Sequence, residues 1–266
     1  MSTLEPRTLA DVQAGEDVRM VPIQKVGVQN IRFPIQVRDR NKSAQHTVGR
    51  IDMSVDLPHH FKGTHMSRFM EILNEGSPEI SVEALPRILS TMRKRLDAET
   101  AHFTVSFPYF MEKAAPVTGQ TGLLSYDCTF DASSGAVDDF VLTVRVPVTT
   151  LCPCSKEISA RGAHNQRGMV TVQARFDGEL WIEDLVGLID DSASCSLYPI
   201  LKRADEKWVT ERAYENPRFV EDLVREVTIR LREHQEITWF RVHVVNFESI
   251  HEHDAYAVVE EGDVPC

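Results

Sequence analysis

The sequence predicts an α+β fold assembled mainly from antiparallel hairpins. Alternation of apolar and polar residues recurs along the chain and marks about eight strands. Two segments instead carry one apolar stripe at helical spacing, 81–99 and the stretch after Asn216. The second half repeats the strand–helix–strand–strand flavour of the first without obvious identity, and no linker rich in Pro, Gly or Ser divides them.

Residues 1–24 are polar and mixed, and are expected to wrap the surface or remain loose, with Met20 to Ile23 as an anchor. Val26 to Arg38 alternates as a half-buried strand does. Gln45 to Leu57 follows in step, with a turn at 40–43, so the pair predicts a hairpin. Residues 58–69 break the pattern with three histidines, two basic residues and hydroxyls, read most simply as a polar loop before a helix. Phe69 to Leu73 reads as a short helix. In 81–99, Leu85, Ile88, Leu89, Met92 and Leu96 form a single stripe, and Pro86 belongs in the first turn, where it costs no ladder bond. Strands follow at 101–113, 121–131 and 137–148.

Val144 to Leu151 is apolar and extended, and runs into the CPCSK sequence at 152–156. Met169 to Phe176 is a strand, Trp181 to Ile189 a short helix and 192–199 irregular. Asn216-Pro217 has the signature of a helix start, an N-cap side chain followed by proline at the first helical position. Val220, Leu223, Val224, Val227 and Leu231 supply the buried stripe of that helix. Trp239 to Glu248 is a strand, and the apolar run 255–259 follows an acidic, histidine-containing connection.

A net charge of −11, from 29 basic and 40 acidic residues, argues against a general nucleic-acid or membrane-surface binder. No apolar run approaches the length of a membrane span, and the first residues lack a basic start followed by an apolar core. With no secretion signal, the five cysteines are expected as thiols, and the cytoplasm is the expected location.

The chemistry concentrates in 146–168, VPVTTLCPCSKEISARGAHNQRG. Thiolate and imidazole are the usual ligands of zinc and other soft or borderline metals. This stretch offers at most Cys152, Cys154 and His164. Any further ligand comes from elsewhere or from water, the pattern of a catalytic metal with an open position. Cysteines are equally often small buried hydrophobes, and Cys-x-Cys with one distant histidine is a weak match to zinc-finger spacing. His251 and His253 form a second group. If extended, they point the same way and suit proton transfer or metal binding; as a solvated pair in an acidic loop they would do neither. Glu221, in a helical first turn, is sufficiently explained by the helix dipole.

The CPCSKEIS and HNQR runs, with GTHMSRF at 63–69 and LKRADEKWVTERAYENPRFVEDLVREV at 201–227, resemble the type IB GTP cyclohydrolase I family, the FolE2-type form of the first enzyme of folate biosynthesis. The resemblance spans most of the chain. It implies a bimodular tunnelling fold, two modules at 25–150 and 151–266 after an N-terminal segment at 1–24, with the second carrying most of the active site. It also implies a barrel-forming homo-oligomer, a tetramer. The reaction implied is hydrolysis of GTP to 7,8-dihydroneopterin triphosphate and formate with a divalent metal, zinc, manganese or iron.

Carried over by position, Cys152, His164 and Glu206 look like the metal set. Cys152, His251 and His253 look catalytic, and Cys154 is a further thiol near the site. Glu221 looks like the guanine anchor, a carboxylate that accepts from both N1–H and N2–H. Lys156, Arg161, Lys202 and Arg203, with His65, Ser67 and Arg68, are phosphate candidates. C8 of guanine must be attacked by water, and the histidines would handle the protons of ring opening. Two other classes fit the residues: a metal-independent tunnelling-fold reductase of a 7-deazaguanine nitrile, and a non-catalytic purine- or pterin-binding module with structural zinc. A relative making a cyclic phosphate product differs only in what it releases.

Overall fold

The computed structural model describes residue 13, residues 15–76 and residues 79–263. The elements run β1 (Ile23–Asp39), β2 (Ser43–Leu57), α1 (Met66–Glu75), α2 (Leu85–Leu96), β3 (Ala101–Ala114), β4 (Thr121–Ser134), β5 (Asp139–Leu151), α3 (Pro153–Ile158), β6 (Asn165–Phe176), α4 (Ile182–Ser192), β7 (Cys195–Ser196), α5 (Arg203–Glu215), α6 (Val220–Arg232), β8 (Ile237–Asn246) and β9 (Ala255–Gly262). The strands form one antiparallel sheet in the order β1-β2-β3-β4-β5-β6-β8-β9, with β7 paired to β5. The α+β reading therefore holds. A hairpin, helices and a second hairpin occur twice in succession. Residue 150, where the module boundary was expected, lies inside β5.

Alternation puts Ile51, Phe103, Val105, Val144, Val146, Val170, Val172 and Val242 on one face of the sheet. The same face receives Phe69 of α1, Met92 of α2, Leu185 of α4 and Leu223 and Val227 of α6, all in one continuous core. Each such side chain contributes about 1.5–3 kcal/mol by leaving water, so the inward row of every strand is what sets its register. The opposite face stays polar, with Arg50, Ser106, Asp127 and Arg145 exposed. Pro86 lies in the first turn of α2, as its missing N–H requires.

Several elements depart from the sequence reading. The helix expected to start at Asn216 starts at Val220. Asn216 caps the end of α5, and its side-chain amide donates to the carbonyl of Ala193 at 2.8 Å. Asp222 provides the cap of α6 instead, accepting from Phe219 N at 3.0 Å. Helix α5, which carries little apolar periodicity, was not anticipated. Its anchor is the buried Asp205, whose carboxylate accepts from Val117 N, Thr118 N and Lys202 N, each at 2.9 Å, and from Thr118 Oγ1 at 2.7 Å. Met20 and Val21 are exposed rather than anchoring. Of the N-terminal segment, residues 1–12 and 14 lie outside the described residues. The adjoining chain pairs with the 58–63 loop through Asp17 N to His60 O and Lys62 N to Gly15 O, both at 3.0 Å. The four described cysteines are free thiols.

Candidate active site

The site is built on the end of the β5–β6 ladder. Thr150 pairs with Gln166 and Leu151 with Asn165. One step further, Cys152 N donates to His164 O at 3.1 Å, continuing the same register past the strand ends. Side chains two apart in extended chain share a face. Cys152 and His164 therefore follow Thr150 and Gln166 on the core-facing side of the sheet, where directly opposed Cβ atoms are about 4.5–5.5 Å apart. Pro153 then starts α3, because its fixed φ suits a first helical position.

Ser155 locks this corner. Its N–H donates to Cys152 Sγ at 3.4 Å, its hydroxyl donates to Cys152 O at 3.1 Å, and the same hydroxyl accepts from His164 N at 3.2 Å. The His164 ring is held in turn, with Nδ1 lying 3.0 Å from Gln166 Oε1. Gln166 Nε2 donates to Thr150 Oγ1 at 3.1 Å, and both of these residues are buried. The strand was expected to begin only at Met169. Its true start at Asn165 puts Gln166 on the ladder, and neither Gln166 nor Ser155 was singled out from sequence. The available signals were the i, i+2 relation of His164 to Gln166 and the hydroxyl directly after Cys154.

Other expected residues gather at this end of the sheet. Cys154 is exposed on α3. Lys156 Nζ donates to Tyr214 O at 2.5 Å and lies 4.5 Å from the centroid of the Tyr214 ring. Arg161 is exposed in the turn between α3 and β6, where its carbonyl accepts from Ser159 Oγ at 2.9 Å. β8 ends beside the start of β6, and Phe247 N donates to Arg167 O at 3.0 Å. The β8–β9 connection leaves from this point and carries His251 and His253. Both are exposed, and their rings stack with centroids 5.0 Å apart and planes 12° apart. Arg218 N donates to Leu151 O at 3.0 Å, which brings the start of α6, with exposed Glu221 in its first turn, to the same corner.

Glu206 comes from α5. At about 100° per residue it lies on one side of that helix with Val209 and Ala213. Those two pack with Cys195 and with Leu151 and Ala163, the residues that precede Cys152 and His164. Lys202 and Arg203 are exposed at the α5 start. Among the described residues, no three His, Cys, Asp or Glu side chains stand close enough together to hold a metal ion. The donor types themselves suit one: a thiol, an imidazole whose Nδ1 is engaged and whose Nε2 remains as ligand atom, and a carboxylate on α5.

His65, Ser67 and Arg68 are elsewhere. They sit at the start of α1, just beyond the end of β2, and the register of β2 through β5 places that point at the sheet end away from Leu151. Arg68 donates to Arg95 O at 3.1 Å. Within one chain these three are not brought to the Cys152 corner.

A family model described as type I GTP cyclohydrolase folE2 matches residues 9–257. The GTP cyclohydrolase FolE2 of Citrifermentans bemidjiense is 58% identical over 259 residues, covering 97% of each chain. That of Geobacter sulfurreducens is 56% identical over 253 residues, covering 95% of this chain and 98% of its own. Among solved structures, uricase from Arthrobacter globiformis aligns with 90% of this chain and 92% of its own at a TM-score of 0.46 and 12% identity. With a family model matching nearly its whole length and relatives identical at more than half of the aligned positions, this chain belongs to the type I GTP cyclohydrolase FolE2 family.

Proposed function

We propose that the protein is a metal-dependent GTP cyclohydrolase I that converts GTP and water to 7,8-dihydroneopterin triphosphate and formate, the first step of tetrahydrofolate biosynthesis. The match of the family model over residues 9–257 carries this reading. The Cys152–His164 corner supports it, because the two residues most suited to a soft or borderline metal share one face at adjacent strand ends. Cys152, His164 and Glu206 would hold zinc, manganese or iron. When bound, such a metal supplies a water whose pKa is lowered towards neutrality.

The chain's own residues supply the rest. Glu221 accepts from the paired N1–H and N2–H donors of guanine and so orients C8. His251 and His253 carry protons to and from the opening ring, a task suited to a side chain whose ordinary pKa lies near neutrality. Cys154 lines the site. Lys156, Arg161, Lys202 and Arg203 face the triphosphate with complementary charge.

The working unit in this reading is a tunnelling-fold, barrel-like homo-oligomer, a tetramer, in the cytoplasm. Two observations favour assembly. β1 and β9 are the outer strands of the sheet, and beyond β1 there is, among the described residues, a single bridge, from Gln36 to Glu79. His65, Ser67 and Arg68 lie at the far end from Cys152, so a second copy could bring them to the site. No helix among the described residues is long and apolar enough to cross a membrane.

The experiment is formate release and pterin fluorescence from the purified protein with GTP, after chelation and then with zinc, manganese or iron(II) restored singly. Metal-dependent appearance of both products is expected. GTP binding with no formate under any of the three metals would overturn the enzymatic reading.

A further inference from the structure

We propose that Gln166 is a positioning residue that fixes the tautomer and ring orientation of His164. The inference rests on His164 being a metal ligand. Gln166 and Thr150 are a directly opposed pair on β5 and β6. Thr150 is fully buried and Gln166 nearly so, at 0% and 8% exposure. Its Nε2 donates to Thr150 Oγ1 at 3.1 Å. In that orientation Oε1, an acceptor only, faces His164 Nδ1 at 3.0 Å. With the amide so placed Nδ1 carries the proton, and Nε2 of the neutral ring is left with the lone pair. A metal ligand needs that state. A histidine free to take the other tautomer would present a proton at the ligand atom for part of the time and rotate about χ2.

The strand pairing supplies the amide's second partner, Thr150, from the neighbouring strand. Thr150 belongs to the core-facing row that includes Val144, Val146 and Val148, so the relay runs from the hydrophobic core out to the ligand. Hydrogen-bonded partners of metal-bound histidines typically change metal affinity roughly 10- to 100-fold when removed.

The test uses the full-length protein and reads metal affinity, by chelator competition with zinc and by the thiolate-to-metal absorption of the cobalt(II) form. Cys152→Ala in the same assays establishes whether metal binds at this corner at all. Gln166→Leu keeps bulk and burial but removes the acceptor. Gln166→Glu restores an acceptor for Nδ1, with the Thr150 hydroxyl able to donate to it. The expected result is a roughly 10- to 100-fold weaker metal affinity and an altered cobalt spectrum for Gln166→Leu, with Gln166→Glu within a few-fold of wild type. Wild-type affinity in Gln166→Leu would overturn the positioning role while leaving the metal site intact. Equal losses in the Leu and Glu variants would make Gln166 a packing residue and overturn it as well. Metal binding that is absent, or indifferent to Cys152→Ala, would instead bring down the metal reading on which the inference stands.

Discussion

Cys152 and His164 occupy the pair position immediately beyond the last rung of the β5–β6 ladder, joined by a backbone hydrogen bond of 3.1 Å from Cys152 N to His164 O. A thiol in that position has a modest structural duty, accepting from Ser155 N at 3.4 Å as the cap of a short helix. Replacing Cys152 with alanine should therefore leave a folded protein, destabilised by no more than about 1 kcal/mol, while formate release from GTP falls below detection. Near-normal turnover in Cys152→Ala would remove this thiol from the mechanism.

Glu221 is exposed in the first turn of α6 and bonds to nothing that the fold requires. Glu221→Gln should leave the unfolding midpoint almost unchanged, since the lost helix-dipole interaction is worth only about 0.3–1 kcal/mol. Hydrogen bonds to a charged group contribute about 1.5–3 kcal/mol. Because Gln cannot accept both guanine donors as a carboxylate does, kcat/KM for GTP should fall by roughly 10- to 100-fold. Steady-state kinetics with an unchanged kcat/KM would show that guanine is anchored elsewhere.

Lys113 and Asp190 form an inner ion pair at 2.5 Å, with side chains only 17% and 13% exposed. Burial raises the Asp190 carboxyl above its ordinary range even though Lys113 pulls it down. Removing the lysine strands a buried charge, so Lys113→Met should cost about 3–5 kcal/mol in urea unfolding. A carboxyl raised in the folded state loses stability as pH climbs through its ordinary value, and it regains that stability on protonation. The penalty should thus shrink towards pH 4. A cost independent of pH would assign it to lost packing of the lysine stem.

Asp205 has the opposite sign. Burial pushes its carboxyl up, but donors from Thr118, Lys202 and Val117 outweigh that and hold it well below the usual carboxylate range. A group depressed on folding stabilises above its ordinary value of 3.8 and loses that contribution as pH falls below it. Asp205→Ala should lower the melting temperature by a constant amount between pH 5 and pH 8, and by less below about pH 4. Hydrogen exchange should show the loss concentrated in α5 and the 115–120 turn; uniform loosening would argue against a local anchor.

Much of the fold could be read from sequence because one face of the sheet is buried throughout. Ile51, Phe103, Val144 and Val170 leave a period of two that hairpin turns punctuate. α5 escaped that reading because only Asp205 and Ala213 are buried in it, and its anchor lies far away in sequence at Val117 and Thr118. Asn216 looked like an N-cap, but tertiary contact with Ala193 took its side chain for another purpose. At the site, residue types pointed to Cys152 and His164, whereas their mutual position depends on a register that only the paired strands reveal. Gln166 escaped notice because an amide has no chemistry of its own until a neighbour fixes which end it presents. His65, Ser67 and Arg68 were phosphate candidates through the resemblance alone, and the chain's topology puts them at the other end of the sheet from Cys152.

The β5–β6 pairing also sets an order of events during synthesis. Cys152 and His164 are joined by a short closed segment, so their encounter costs little chain entropy and needs nothing C-terminal to β6. Glu206 arrives only after α5 has been made and docked onto the turn between β3 and β4, and the histidines of the last connection come later still. A nascent chain thus brings the Cys152 and His164 backbones together well before Glu206 is in place. In the metal-dependent reading proposed above, an ion taken up at that stage would lack its carboxylate ligand and remain exchangeable until α5 has docked.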